Sequence, residues 1–184
     1  IEIEVGNPEL DPYEAMNWDA TLSYYLSSVG LVSAGVFYKD IDSFIYAQTN
    51  EVDGAKLTTW NNGESGNIYG VELAYQQKLS FLPGALNGCS VQGNLTFSDS
   101  EADVPATDEI AARTTELQGH SDLVASFALS YEKYDFFARL SGSYRSEYLD
   151  VLGAEDFEDE IIDEHFQLDL STAYTIDDRY TVFA

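Results

Sequence analysis

Apolar residues along this chain recur at every second position, the period of a strand whose two faces meet different surroundings. In 17–26, Trp18, Ala20, Leu22, Tyr24 and Leu26 alternate with Asn17, Asp19, Thr21, Ser23 and Tyr25. Val32, Ala34, Val36 and Tyr38 oppose Ser33, Gly35, Phe37 and Lys39 in the same way. So do Tyr69, Val71, Leu73 and Tyr75 against Gly70, Glu72, Ala74 and Gln76. Further segments of this kind are centred on Leu95, Phe127, Leu140 and Leu170, and a last strand begins near Tyr180. The pattern predicts about eight strands, each with one greasy and one mostly polar face.

Alternation alone also suits a soluble sandwich. Two features point elsewhere. The segments approach the length of about 9–11 residues that a tilted membrane strand needs, where soluble strands run to about 5–6. The aromatics are also sorted. With strands running alternately up and down, Tyr24, Tyr75, Tyr131, Phe136, Tyr174 and Tyr180 fall near one end of the greasy face. Trp18, Tyr38, Tyr69, Phe97, Tyr144 and Phe166 fall near the other. Amphipathic rings favour the headgroup level, so these are expected to be two girdles around a hydrocarbon-facing band.

The connections alternate too. Those near 27–30, 83–88, 132–135 and 177–178 are short, while 47–66, 99–119 and 150–164 are long. Short periplasmic turns and long extracellular loops are the habit of outer-membrane barrels. A backbone in lipid must satisfy all its hydrogen bonds, so such a sheet closes on itself. The expected fold is an all-β antiparallel transmembrane β-barrel, whose eight or so strands either close as a small barrel or form part of a larger one.

Charge removes other classes. The net charge is −25, from 33 acidic and 8 basic residues. That excludes a nucleic-acid binder, which must neutralise phosphates, and a basic patch resting on anionic lipid. No apolar run is long enough for a membrane-spanning helix. Cys89 is the single cysteine, without an internal partner or metal-ligand spacing. No signal peptide opens the chain, which begins Ile-Glu-Ile-Glu-Val, and it stops inside an apparent strand. A piece of a longer protein is expected.

The segment Gly6-Asn7-Pro8-Glu9-Leu10-Asp11-Pro12 resembles the Gly-Asn-Pro-x-Leu-x-Pro signature of TonB-dependent receptors. It precedes the strand at 17–26, as the family pattern requires. Gly35-Val36-Phe37-Tyr38-Lys39-Asp40-Ile41 is similar to the family's following Phe-Tyr-x-x-Ile strand, and Tyr69-Gly70-Val71-Glu72-Leu73 to its Gly-Val-Glu strand. The resemblance implies a 22-stranded barrel whose lumen is plugged. It implies uptake of a scarce nutrient such as a ferric siderophore, haem, cobalamin or an oligosaccharide, driven by the TonB complex acting on the plug. Residues 1–184 would be the C-terminal part of the barrel, with plug, TonB box and first barrel half elsewhere. The alternatives are a passive porin-like or adhesin-like barrel and a soluble all-β binding module.

By parity Asp19, Glu72, Asp122, Arg139, Arg145 and Asp169 should face the lumen, as plug or ligand contacts or as solvated wall charges paired across strands. Trp60, Asn61 and Asn62, in a long loop, are ligand candidates for stacking on a sugar, weighed against a hairpin tip with a packed indole as the simpler account. The girdle aromatics are Trp18, Tyr24, Tyr38, Tyr69, Tyr75, Tyr131, Tyr144 and Tyr174. The acidic stretch 150–164 is weighed as a calcium site or a solvated face; it lacks the spacing and glycine of a dedicated loop. His120 and His165 precede strands without an identifiable metal partner. Neither a nucleophile elbow nor a phosphate loop occurs, so no catalytic residue, metal or cofactor is expected. The partners implied are outer-membrane lipid and lipopolysaccharide, the TonB complex through the plug, and a small-molecule or oligosaccharide ligand.

Overall fold

The computed structural model describes residues 2–26, 29–52, 54–107, 111–177 and 179–184. Among them lie fourteen strands: β1 Glu2–Val5, β2 Glu14–Leu26, β3 Gly30–Asp42, β4 Ile45–Val52, β5 Ala55–Asn62, β6 Ser65–Lys78, β7 Cys89–Val104, β8 Arg113–Thr115, β9 Leu123–Lys133, β10 Phe136–Arg145, β11 Tyr148–Val151, β12 Glu160–Ile162, β13 His165–Ile176 and β14 Tyr180–Phe183. Eight form one sheet in the order β14-β13-β10-β9-β7-β6-β3-β2, with β8 added beside β7. Every neighbouring pair in it is antiparallel. The strands are long, 13 residues in β2 and β3, 14 in β6 and 16 in β7.

The registers turn eight separate alternations into one continuous apolar face. Leu22 lies opposite Ala34, which meets Leu73, then Leu95, Ala125, Tyr144 and Phe166 across successive strands. The row through Val91 passes Leu129 and Leu140 to Leu170. A slip of one residue would exchange the two faces of a strand, so each register is fixed by the pattern of its neighbours. This apolar face is open: Leu22, Leu73, Leu129 and Leu170 are all exposed. Glycines admit rings that lie across strands. A Cβ on Gly142 would stand 2.3 Å from Phe127 Cε1 on the apolar face, and one on Gly70 would meet Phe37 Cζ at 2.7 Å on the polar face.

The short connection between β9 and β10 is a two-residue hairpin. Tyr134 and Asp135 both have positive φ, 55° and 60°, the type I′ geometry whose twist matches the flanking strands. Lys133 secures this end by donating from Nζ to Gly84 O at 2.6 Å and Asn87 Oδ1 at 2.7 Å.

The long connections differ from the expectation of plain loops. Residues 43–64 hold the hairpin β4–β5, with β1 added in parallel to β5. The connection after β7 contains β8, and that after β10 contains the pair β11–β12. Strand β7 also runs to Val104, past Asp99, where the long connection was expected to begin. The buried hydrophobic cluster sits here: Phe44, Tyr46, Ala102, Val104, Leu117, Leu149 and Leu152. One face of the sheet being apolar and exposed, the water-excluding core is built by the connections at one end.

Candidate functional site

Three regions carry the candidate residues: the aromatic rows of the apolar face, the charges of the polar face, and the crown formed by the described residues of 43–64, 105–122 and 146–164.

On the apolar face Trp18, Tyr38 and Tyr69 share one row with Asp99. The Trp18 and Tyr38 rings meet at 5.6 Å between centroids. Tyr69 donates its hydroxyl to Asp99 Oδ2 at 2.8 Å, and Tyr144 donates to Glu164 Oε2 at 2.6 Å. Both acceptors lie toward the crown, so each ring has its apolar body on the sheet and its hydroxyl on a carboxylate at the rim. At the other strand ends Tyr24 and Tyr75 share a row through Val32, and Tyr174 lies opposite Phe136, whose ring is 6.1 Å from that of Tyr131.

On the polar face the six charged candidates are dispersed. Asp19 lies opposite Phe37, Glu72 between Gly35 and Thr96, Arg139 between Ser130 and Ser171, and Arg145 between Val124 and His165. Asp122 precedes β9, where its carbonyl accepts Ser98 N–H at 2.9 Å. Arg139 and Asp169 are diagonal neighbours across β10 and β13, through Arg139↔Ser171 and Ser141↔Asp169. No ion pair joins any two of the six among the described residues; Asp169 accepts instead from Gln167 Nε2 at 3.0 and 3.1 Å. Arg145 stacks over the Tyr148 ring at 4.3 Å, joining the sheet to the crown.

Trp60, Asn61 and Asn62 do not form a loop tip. They lie in β5, paired with Ala47, Tyr46 and Ile45, while the hairpin turns beyond Val52. The expectation failed because the strand that carries them is short, polar and followed by Gly63, which reads as turn. Their amides are engaged within the protein. Asn61 Nδ2 donates to Gln48 Oε1 at 2.9 Å. Asn62 Oδ1 accepts Asp11 N–H at 2.9 Å, and its Nδ2 donates to Asp11 O at 3.0 Å and Ser43 O at 2.9 Å. Asn7 Nδ2 donates to Trp60 O at 3.0 Å, and Asn7 Oδ1 accepts Glu9 N–H at 2.9 Å. Thus the Gly-Asn-Pro segment acts here as a clip that holds the approach to β2 against β5.

The acidic stretch 150–164 is partly neutralised by the chain's own cations. Arg113 binds Asp156 through Nη1 and Asp159 through Nη2, the latter at 2.6 Å. Burial works against the charge of Arg113, but hydrogen bonds to Asp159 and Asp156 more than offset it and raise its pKa. Asp159 Oδ1 also accepts Gly153 N–H at 2.9 Å. Lys56 Nζ reaches Glu160 at 2.6 Å. No group of three or more histidine, cysteine or carboxylate side chains among the described residues is placed to hold a metal ion.

His120 gains partners that its sequence position did not announce. Ser98 Oγ is 3.0 Å from Nε2 and Ser100 Oγ is 3.0 Å from Nδ1, with Asp122 Oδ1 at 3.6 Å from Nδ1. Its side chain is only 10% exposed. Burial lowers its pKa, and the carboxylates of Asp122 and Asp99 oppose that shift. Glu116 nearby is raised, first by burial and then by Asp122, Asp99 and Glu147. Ser98 and Ser100 share the parity of the polar face, the one sequence signal from which this contact could have been read.

A long-stranded antiparallel sheet with one apolar and one polar face, and aromatic rows at both strand ends, is the wall of a transmembrane β-barrel. The family described as TonB dependent receptor-like, beta-barrel, matches residues 2–184, and the chain belongs to that family, whose barrels lie in the outer membrane. Similar solved structures include the copper transporter OprC, with 19% identity, a TM-score of 0.64 and coverage of 91% of this chain and 24% of that one. The unliganded ferric citrate transporter FecA matches at 16% identity and TM-score 0.64, covering 87% and 23%. A ferric enterobactin receptor from Pseudomonas aeruginosa, PfeA, in complex with enterobactin, matches at 13% identity and TM-score 0.62, covering 98% and 26%. At these identities the likeness is one of fold. The chain spans about a quarter of the length of these structures. No curated protein matches the sequence.

Proposed function

We propose that this chain is the C-terminal barrel wall and loop crown of an outer-membrane active-transport receptor. The observation that carries the reading is the single apolar face running in register across eight strands, with every long connection at one end, in a chain that the family matches over 2–184. In this reading the aromatic rows mark the two headgroup levels and the crown faces outward. Asp19, Glu72, Asp122, Arg139, Arg145 and Asp169 line the lumen, where their dispersal suits many weak contacts with a plug or a passing ligand. Energy comes from the TonB complex acting on a plug carried by another part of the protein. The cargo class is a scarce nutrient: a metal or its siderophore complex, haem, cobalamin or an oligosaccharide. The similar solved structures of copper, ferric citrate and ferric enterobactin proteins support the metal side of that range.

The intact protein reconstituted in planar bilayers tests the reading. A plugged transporter is expected to hold ions back until it is denatured by urea. Constitutive conductance of the native protein identifies a passive barrel and ends the proposal. Cells carrying the gene are also expected to raise its expression under iron or carbohydrate limitation.

A further inference from the structure

We propose that the described parts of the three long connections form one pre-assembled body that unfolds as a single cooperative unit. The inference concerns the crown alone and does not rest on the transport reading.

Strand β4 has β5 on one edge, and its other edge is completed by both of the other connections. Gln118 places its side-chain amide against the backbone of Ala47: Oε1 accepts Ala47 N–H at 2.7 Å, and Nε2 donates to Ala47 O at 2.5 Å. A side chain thereby replaces the peptide of a neighbouring strand. One step along the same edge, Leu152 N–H donates to Ala47 O at 3.2 Å and Thr49 N–H donates to Leu152 O at 2.9 Å. Gln48 and Leu152 make a parallel bridge there. Gly119 N–H donates to Leu149 O at 2.8 Å, closing the triangle between the second and third connections.

Beneath this edge lies the shared core. Phe44 and Tyr46 come from the first connection, Leu117 from the second, and Leu149 and Leu152 from the third; Ala102 and Val104 of β7 form its floor. Arg113 of the second connection then binds Asp159 of the third, both side chains largely buried, and also reaches the exposed Asp156. The exposed pair Lys56–Glu160 adds little by comparison. Lifting any one connection uncovers apolar side chains of the other two and strips backbone groups of their partners. Independent flaps would have to break the same contacts in each motion, so the cooperative unit is the whole crown.

Hydrogen exchange read by mass spectrometry on the intact protein in detergent micelles decides the matter. Arg113→Ala removes bonds only to the third connection. It is expected to accelerate exchange about tenfold in 45–49 as well as in 150–160, the size that loss of a charge-assisted hydrogen bond gives. Gln118→Ala, which removes no charge, is expected to accelerate 152–160 alongside 45–49. Acceleration confined to the segments each side chain touches, with the remote segment unchanged, overturns the proposal. Should Arg113→Ala prevent barrel formation, seen as loss of the heat-modifiable band, Gln118→Ala alone carries the decision.

Discussion

Leu73 and Ala74 are adjacent in β6, and exchanging each for arginine separates the two environments of the sheet. Strand β6 is paired on both sides, so neither substitution disturbs an edge. Leu73 lies on the apolar face between Ala34 and Leu95, and Ala74 on the polar face between Ser33 and Asn94. Leu73 is 47% exposed, and Ala74 is exposed as well. If both faces met water, either arginine would change stability by no more than about 0.5 kcal/mol. If the apolar face meets hydrocarbon, an arginine near the midplane costs about 2–4 kcal/mol. Tyr75 is the next residue on that face, so the guanidinium has a short reach to the headgroup level, and the cost should lie near the lower end, about 2 kcal/mol. That is a shift of roughly thirtyfold in the folding equilibrium for Leu73→Arg and nearly none for Ala74→Arg. The assay is guanidinium unfolding of the intact protein in phosphatidylcholine vesicles, followed by tryptophan fluorescence. Two variants within about 0.5 kcal/mol of each other, or a costlier Ala74→Arg, would refute the assignment of faces.

Two glycines should respond unequally to alanine. At Gly142 the new Cβ meets only the far end of the Phe127 ring, which can swing outward, so about 1 kcal/mol is expected. At Gly70 it also meets Phe97 O at 2.5 Å and Ser98 Cβ at 2.8 Å, so β6 and β7 must part and the cost should reach about 3 kcal/mol; thermal unfolding of the two variants side by side ranks them. His120 gives the crown a pH dependence. Its pKa is lowered by folding, so the unfolded chain binds the proton more readily, and crown stability should fall as pH drops through the region below 6.5. His120→Gln should flatten that dependence in hydrogen exchange of 116–122 measured between pH 7 and pH 5.

Much of the sheet was legible because its information is local and repeated. Leu22, Leu73, Leu95 and Leu170 each declare a face by parity, and neighbouring strands must agree on it. Long connections at one end were legible from spacing alone. The crown was not, because its contacts join distant segments with no shared period. Phe44, Tyr46 and Gln48 do alternate and are buried, but the stretch is short, and its continuation through Asn50 to Gly54 reads as turn. Gln118 bears no mark of the backbone it completes, and Arg113 none of its two carboxylates. Asn62 looked free to bind a ligand since its partners, Asp11 and Ser43, lie in other segments. The Gly-Asn-Pro segment was recognised by resemblance, and the bond from Asn7 to Trp60 supplies a physical reason for its asparagine.

The registers also fix a slope. The row that starts at Tyr24 in β2 runs through Val32, Tyr75, Gly93, Phe127 and Gly142 to Leu168 in β13. It leaves one aromatic level and arrives beside the other, next to Phe166, while Tyr174 lies farther down β13. The levels therefore climb by about one residue per strand, and with a rise of about 3.3 Å and a spacing of about 4.8 Å the strands incline by about 35° to the barrel axis. Each inclined strand occupies about 5.9 Å of circumference, so eight lay down about 47 Å of wall. Closed on themselves they would enclose a cylinder only about 15 Å across, filled by its own side chains. Shear thus makes circumference, and through it the bore of the finished pore, a count of how many further strands share this inclination.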